Sequence, residues 1–208
     1  MSDMRYTALV ILWILWCSVH SGMISLTVTR YIKVKFGRYF KFYRLFYNLV
    51  AITTIAPLII YTLGFNVAVM YRWEGYMIFV RFFLIAASII LFVAGSLKYD
   101  LLQFSGIRQI KSGKTYSTLS ESGGIVSSGI LGYIRHPWYL ASIIFIWVCQ
   151  RDICISTLIV NILLTIYLII GTFLEERKLI IEFGDSYRDY MHRVSRLFPV
   201  KRFFSGFR

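Results

Sequence analysis

Two long stretches without a charged side chain constrain this sequence more than any other feature. Residues 6–29 and 45–71 contain no aspartate, glutamate, lysine or arginine. Each stretch is longer than the roughly 20 residues that an α-helix needs to cross about 30 Å of hydrocarbon. Three further apolar runs follow, at residues 75–97, 137–150 and 153–174. The sequence therefore predicts an all-α, polytopic membrane protein with five transmembrane helices.

The last two apolar runs predict a helical hairpin, with helices four and five joined by a tight polar tip at Arg151 and Asp152. The fourth run is short, so its helix needs help from its flanks to reach full depth. After the fifth run, apolar residues recur at helical spacing as far as Val194, with an interruption at Gly184. This spacing predicts an amphipathic C-terminal helix that packs on the membrane face. The first run is too long for a typical signal-peptide core, which favours a retained helix.

The positive charge of the chain is explained by membrane topology and not by nucleic acid. The formal net charge is +13, and 19 of the 23 lysine and arginine residues lie in three segments: between the first two runs, between the third and fourth, and after the fifth. With five spans and the N-terminus outside, all three segments face the cytoplasm of an inner membrane. Segment 30–44 interleaves basic and aromatic residues, and we expect it to contact lipid headgroups.

The cysteines and one histidine within the apolar runs do not predict a metal site. Cys17, Cys149 and Cys154 lie in or beside these runs, without a C-x-x-C motif or a histidine cluster. His20 is unusual in an apolar span. Two interpretations of His20 stay open at this point: a residue of an acceptor site, or a packing residue bonded to a neighbouring helix.

Two polar clusters flank the predicted hairpin. The stretch "GYIRHPWYL" leads into the fourth run, where Pro137 fits the first helical turn. The N-terminus of that helix favours an anion, and the guanidinium of Arg135 suits a carboxylate, although Arg135 alone would serve equally as a lipid anchor. Glu175 and Glu176 follow the fifth run, and acids beside hydrocarbon are costly unless they are solvated or matched with cations. In a hairpin, both clusters would lie within reach of one pocket.

These residues occur in the order that a known family uses. "GYIRHPWYLASIIFIW", followed one span later by "LEERKLIIEFGDSYRDYMHRVSRLFP", resembles the isoprenylcysteine carboxyl methyltransferase superfamily of membrane enzymes, over about residues 124–200. The stretches "WCSVHSGMIS" and "YRLFYNLVAITTIAPL" are similar to a bacterial branch with NnrU-like and methanethiol S-methyltransferase-like proteins. The resemblance implies one methyltransferase domain over residues 1–208, with a three-helix part at 1–97 and a cofactor-binding part at 98–208.

The resemblance implies S-adenosylmethionine as the cofactor and Arg135 and Glu176 as the catalytic residues. Arg135 would pair with the cofactor carboxylate, and a glutamate would take its ammonium or ribose hydroxyls. Positioning supplies most of the catalysis of methyl transfer, and no metal is needed. The cofactor-binding residues that the resemblance implies are Tyr133, Arg135, His136, Pro137, Tyr139, Glu175, Glu176, Tyr187, Arg196, Leu197 and Pro199.

The predicted acceptor is a small or lipophilic molecule from the bilayer that carries a thiol, a prenyl-cysteine-like group or a carboxyl. This chain has Ile130 and Leu131 where the family often has Pro-Tyr, and Trp138 where a smaller apolar residue is usual. Trp138 is therefore one predicted substrate residue, and His20, in its acceptor-site interpretation, is the other. Two alternatives stay open: a phospholipid or amine N-methyltransferase, and a non-catalytic, NnrU-like accessory protein of the membrane.

Overall fold

The structure is a computed structural model that describes residues 2–65, 69–112 and 124–201. Within these ranges the chain is mostly helical, with two short strands. The α-helices are α1 (Ser2–Met23), α2 (Leu26–Phe36), α3 (Tyr43–Leu63), α4 (Met77–Ser96), α5 (Leu101–Ser105), α6 (Ile107–Ser112), α7 (Pro137–Val148), α8 (Ile155–Phe183) and α9 (Asp185–Arg193). The strands are β1 (Val69–Arg72) and β2 (Asp152–Cys154), and two 3₁₀ helices cover Gly37–Phe42 and Gly129–Gly132.

Helices of membrane-spanning length confirm the class of multi-pass membrane protein. By length and composition, four helical segments could cross a membrane, namely Met4–Met23, Leu26–Leu63, Met77–Ser96 and Ile155–Phe183. The predicted count of five is not confirmed, because α7 has only 12 residues. At 1.5 Å per residue it rises about 18 Å, which is well short of the hydrocarbon thickness.

A small sheet departs from the all-helical prediction. Strands β1 and β2 pair antiparallel, with Tyr71 opposite Ile153 and Arg72 opposite Asp152. The sequence predicts a tight polar tip at Arg151 and Asp152, and β1 begins inside the second apolar run and ends one residue beyond it. Strands of three and four residues leave no recognisable period in such a run, which explains why apolarity alone does not predict them.

The segment between the third and fourth apolar runs begins with helices α5 and α6. Oδ1 of Asp100 accepts the backbone N–H of Gln103 at 3.0 Å, as a helix N-cap does. Between the two helices, Gly106 has a φ of +91°, and a Cβ there would lie 2.7 Å from the backbone nitrogen of Leu45. Most of the Gly- and Ser-rich part of this segment, residues 113–123, lies outside the described residues.

The chain divides into two compact units. The first comprises Met1–Trp73, Ser105–Thr115 and Gln150–Tyr167, and the second comprises Glu74–Phe104, Tyr116–Cys149 and Leu168–Arg208. Helix α8 therefore belongs to the first unit as far as Tyr167 and to the second from Leu168 onward. The core of the first unit contains Leu9, Trp13 and Val160.

Close packing of α4 against α7 fixes the start of α7 in the second unit. Oγ of Ser88 donates a hydrogen bond to the carbonyl of Ala141 at 2.9 Å, and both residues are fully buried. A Cβ at Gly95 would lie 2.6 Å from the indole of Trp138, so the glycine permits this approach. The three-residue core of Tyr187, Tyr190 and Val194 forms on and just after α9 in the same unit.

Candidate functional site

Glu176 is the centre of a buried ion cluster in the second unit. Its Oε1 accepts hydrogen bonds from Nε and Nη2 of Arg135 at 2.8 and 2.5 Å and lies 3.1 Å from Nε2 of His136. Its Oε2 accepts from Nε and Nη2 of Arg196 at 3.0 and 2.6 Å. The Glu176 residue is 2% exposed. The structure thus brings Arg135 and His136 together with Glu176. Arg196, from the tail after α9, joins the same cluster.

Main-chain hydrogen bonds hold the tail beside the start of α7. His136 precedes α7, and Pro137 lies in its first turn, as predicted. The backbone N–H of Arg135 donates to the carbonyl of Ser195 at 2.8 Å, and that of His136 donates to the carbonyl of Arg196 at 3.1 Å. The side chains that meet at Glu176 are therefore anchored on two segments that are themselves bonded together.

The guanidinium of Arg135 also binds the C-terminal end of α9. Its Nη1 donates to the carbonyl of Met191 at 3.1 Å and to the carbonyl of Val194. Since Nε, Nη1 and Nη2 of Arg135 all donate to protein acceptors, this side chain connects α7, α8 and α9. Arg135 is 7% exposed, and such a buried cation is stable only with this degree of pairing.

The cluster holds more cationic than anionic charge, and its neighbours offset the excess. Oε2 of Glu175 lies 3.7 Å from Nδ1 of His136, and the Glu175 side chain is 39% exposed. The guanidinium carbon of Arg196 lies 3.6 Å from the centroid of the Phe173 ring, which is a cation–π contact. Glu175 is thus the more accessible of the two acids.

A pocket of about 540 Å³, including its open mouth, lies in the second unit. Ionisable, aromatic and aliphatic side chains all contribute to its wall. The lining residues are Lys98, Tyr99, Gly124, Ile125, Val126, Leu131, Arg135, His136, Glu175, Leu179, Tyr187 and Tyr190.

Three tyrosines give the pocket neutral hydrogen-bonding groups. Burial raises the pKa of Tyr190 to about 12, with Arg135 lowering this pKa and Glu176 raising it by smaller amounts. Burial also raises the pKa of Tyr99 and of Tyr187. The hydroxyl of Tyr190 donates to the carbonyl of Leu131 at 2.6 Å. These hydroxyls therefore stay protonated at physiological pH and act as hydrogen-bonding groups.

Four of the predicted cofactor residues line the pocket: Arg135, His136, Glu175 and Tyr187. The remaining predicted residues are not among the described residues that line it. Pro137 is fully buried, Tyr133 is 45% exposed, and Glu176 and Arg196 lie in the ion cluster. The ring of Tyr139 lies against Gly171, where a Cβ would approach it to 2.9 Å, and Leu197 and Pro199 are half-buried in the tail.

The two predicted substrate residues, Trp138 and His20, do not line this pocket in the part of the chain that is described. Nε1 of Trp138 donates to the carbonyl of Phe92 at 3.1 Å, and its ring packs edge-on against Tyr99 with centroids 4.7 Å apart. In the first unit, Nε2 of His20 lies 2.6 Å from the Tyr47 hydroxyl. His20 and Tyr47 also line a small second pocket, so both interpretations of His20 stay open.

Sequence reasoning missed several lining residues, among them Lys98, Tyr99, Ile125 and Val126. The backbone N–H groups of Lys98 and Tyr99 donate to the carbonyl of Gly95 at 2.9 and 3.1 Å, directly after α4. A lysine at the end of a span is also what topology alone requires, so its position carried no separate signal of a site. Ile125 and Val126 lie in a segment that carries no recognisable motif, so the sequence did not single them out.

The cysteines take no part in this site. Cys17, Cys149 and Cys154 are free thiols. Within residues 2–65, 69–112 and 124–201, no cluster of three histidine, cysteine or carboxylate side chains is arranged to hold a metal ion.

Several curated proteins share sequence with part of this chain. Methanethiol S-methyltransferase 1 of Bradyrhizobium diazoefficiens is 43% identical over 70 residues, which cover 34% of this chain and 24% of the relative. Methanethiol S-methyltransferase of Pseudomonas deceptionensis is 36% identical over 69 residues, 33% of this chain and 26% of the relative. The Mycobacterium tuberculosis enzyme of the same name is 31% identical over 97 residues, 45% of this chain and 38% of the relative.

The matched region spans about a quarter of the length of the first two of these relatives. No solved structure matches the chain. A sequence model of the NnrU protein family matches residues 8–180, which is more than half of the chain. The protein therefore belongs to the NnrU protein family, as its resemblance to the NnrU-like branch predicted.

Proposed function

We propose that this protein is an integral membrane methyltransferase that uses S-adenosylmethionine. The observation that carries the proposal is the pocket that Arg135, His136, Glu175 and Tyr187 help to line, next to the buried Glu176 cluster. Relatives named methanethiol S-methyltransferase support the reaction class.

The donor set of the pocket fits this cofactor. S-adenosylmethionine carries an ammonium, a carboxylate, ribose hydroxyls and an aromatic base, and the pocket offers a carboxylate, cations, tyrosine hydroxyls and aromatic rings. Glu175, which is accessible and lines the pocket, would bind the ammonium or the ribose hydroxyls. Tyr187 is the proposed neighbour of the base or the ribose. When bound, S-adenosylmethionine would supply a methyl group on a positively charged sulfur: an acceptor bonds to the methyl carbon in line with the breaking C–S bond, and the sulfur leaves as a neutral thioether.

Glu176 and Arg135 have a positioning role in this proposal. Glu176 is not among the described residues that line the pocket, and its oxygens accept from Arg135 and Arg196. By holding α7, α8 and the tail together, the pair fixes His136 and Glu175 at the wall. Pre-organised geometry of this kind is the main contribution that a protein makes to methyl transfer.

The proposed acceptor is a small thiol, the class that the names of the relatives indicate, and lipophilic thiols or carboxyls are the next class to test. Cationic side chains at the wall favour the thiolate form of such an acceptor. We further propose that α7, with help from its flanks, makes a fifth crossing, so that the C-terminus lies in the cytoplasm and the N-terminus outside an inner membrane, because 19 of the 23 lysines and arginines then face inward.

Methyl transfer from labelled S-adenosylmethionine tests the proposal. Membranes that contain the protein are incubated with small thiols, prenyl-cysteines, phospholipids and amines. We expect label in the thiol. We also expect at least about 10-fold slower transfer by the Glu175→Gln variant, which corresponds to an activation barrier raised by about 1.4 kcal/mol. Glu182→Gln, at an exposed position of the same helix, is the matched control and should retain activity.

The same experiment separates the alternatives. Label in phospholipids or amines instead of thiols would identify an N-methyltransferase. The absence of transfer to every acceptor, in a folded protein that also fails to bind the cofactor, would overturn the proposal in favour of a non-catalytic accessory protein, an alternative in keeping with the NnrU family match.

A further inference from the structure

Arg135 is poorly placed to bind an anionic ligand, although it lines the pocket. Its Nε and Nη2 donate to Glu176, and its Nη1 donates to two carbonyls at the end of α9. Turning the guanidinium toward a ligand would weaken the pairing of a buried carboxylate, which is strongly destabilising. A carboxylate in this pocket therefore needs a different cation.

Lys98 is a cation of the same pocket whose ammonium is not used by the protein. Among the described residues, no hydrogen bond or ion pair involves its Nζ, whereas its side chain lines the pocket. The stem of Lys98 packs on Gly129, where a Cβ would lie 2.5 Å from Cε. Gly129 has a φ of +63°, so this position favours glycine and leaves the space for the lysine stem.

Glu175 supplies the opposite charge in the lining of the same pocket. Its carboxylate is 39% exposed, and it has the imidazole of His136 as a neighbour at 3.7 Å. A pocket that presents both a lysine ammonium and a carboxylate is complementary to a zwitterion, such as the α-amino-acid end of a ligand. Each charge of that group would gain a charge-assisted hydrogen bond.

We propose that Lys98 binds the carboxylate at the amino-acid end of S-adenosylmethionine, while Glu175 binds its ammonium and Arg135 holds the protein around them. This inference rests on the proposed function. It predicts that the pocket discriminates ligands that keep the amino-acid end from those that carry only the nucleoside and its sulfur.

Calorimetric binding to the purified protein in detergent tests this assignment with two probes. S-adenosylhomocysteine carries the amino-acid end, whereas 5′-methylthioadenosine has the same nucleoside without it. In Lys98→Met, which keeps most of the stem, we expect at least about 10-fold weaker binding of S-adenosylhomocysteine and unchanged binding of 5′-methylthioadenosine. Lys98→Arg should recover most of the affinity, and Lys111→Met, at an exposed position on α6, should change neither probe.

Each outcome decides the question. If Lys98→Met binds S-adenosylhomocysteine as tightly as the wild type, the assignment of Lys98 is overturned and the proposed function stands. Equal weakening of both probes also overturns the assignment, because it indicates a general structural role. If the wild type binds neither probe, the proposed function itself fails.

Discussion

Two arginine–carboxylate pairs in this chain have the same chemistry in opposite surroundings. Arg72 donates to Asp152 from Nε at 2.8 Å and from Nη2 at 3.1 Å on the small sheet, where the side chains are 48% and 38% exposed. Nη2 of Arg135 lies 2.5 Å from Oε1 of Glu176, and the two side chains are only 5% and 3% exposed. Water replaces a lost partner at the surface but not in the interior. The buried pair is therefore the one on which the architecture of the site depends.

Removing the buried charge should have the largest effect. Glu176→Gln leaves the guanidiniums of Arg135 and Arg196 without their anion, and breaking a buried pair in this way costs about 3–5 kcal/mol. Denaturant unfolding in detergent measures the loss. Glu182→Gln, exposed on the same helix, is the control. Stability within about 0.5 kcal/mol of the wild type would show that the cluster does not hold the fold together.

Changing the shape of the cation while keeping its charge should have the next largest effect. In Arg135→Lys the fork that bridges Glu176 and the carbonyls of Met191 and Val194 is lost. We expect a loss of about 1–3 kcal/mol, since buried acceptors lose their donors while the charge remains. The same unfolding experiment measures it. A lysine variant as stable as the wild type would indicate that charge alone matters.

The hydroxyl of Tyr190 tests a neutral contact beside the cluster. Tyr190→Phe removes the 2.6 Å hydrogen bond to the carbonyl of Leu131, at an expected cost of about 1–2 kcal/mol. The raised pKa of Tyr190 adds a dependence on pH. Its folded-state value is about 12 against a usual value of 10, so its contribution to stability is present below pH 10 and is lost as the pH rises from 10 to 12.

Melting curves in detergent between pH 8 and 12 check this sign. Burial also raises the pKa of Tyr99 and Tyr187, so the wild type should lose stability across this interval from several groups. Tyr190→Phe should lose less over the same interval. Parallel curves for the two proteins would show that Tyr190 ionises as freely in the folded state as in the unfolded state.

The exposed pair should give the smallest effect. A hydrogen bond from Arg72 lowers the pKa of Asp152, so the pair contributes only while the pH stays above that lowered value. Asp152→Asn should melt at nearly the same temperature as the wild type at neutral pH, with any difference reduced further by salt. A destabilisation as large as that of Glu176→Gln would invalidate the comparison between surface and interior.

Apolar runs predicted the helices well where hydropathy and helix formation coincide, and less well at their ends. Within the first run, α1 ends at Met23 and a new helix begins after Ser25, whose hydroxyl accepts the N–H of Val28 at 3.3 Å. An N-cap inside an uncharged run does not alter hydropathy, so apolarity alone does not reveal it. Likewise α8 continues to Phe183, well past the apolar run, because glutamate, arginine and lysine are good helix formers.

The order of the motif predicted which polar side chains would meet. It did not predict which of them pair with one another and which face the pocket. That Arg135 and Arg196 share one carboxylate depends on the main-chain pairing of residues 135–136 with 195–196, which no local pattern indicates. In the sequence, Lys98 is one of the basic residues that indicate the cytoplasmic side of the membrane. The structure places it in the lining of the pocket. Long-range pairing, not composition, determines this part of the site.

Equilibrium binding of S-adenosylhomocysteine to the purified protein in detergent tests whether the pocket is a cofactor site. We expect saturable binding by the wild type at one site, at least about 10-fold weaker binding by Glu175→Gln, and unchanged binding by Glu182→Gln. A folded wild-type protein with no saturable binding, or equal binding by all three proteins, would show that the pocket lined by Glu175 does not hold the cofactor.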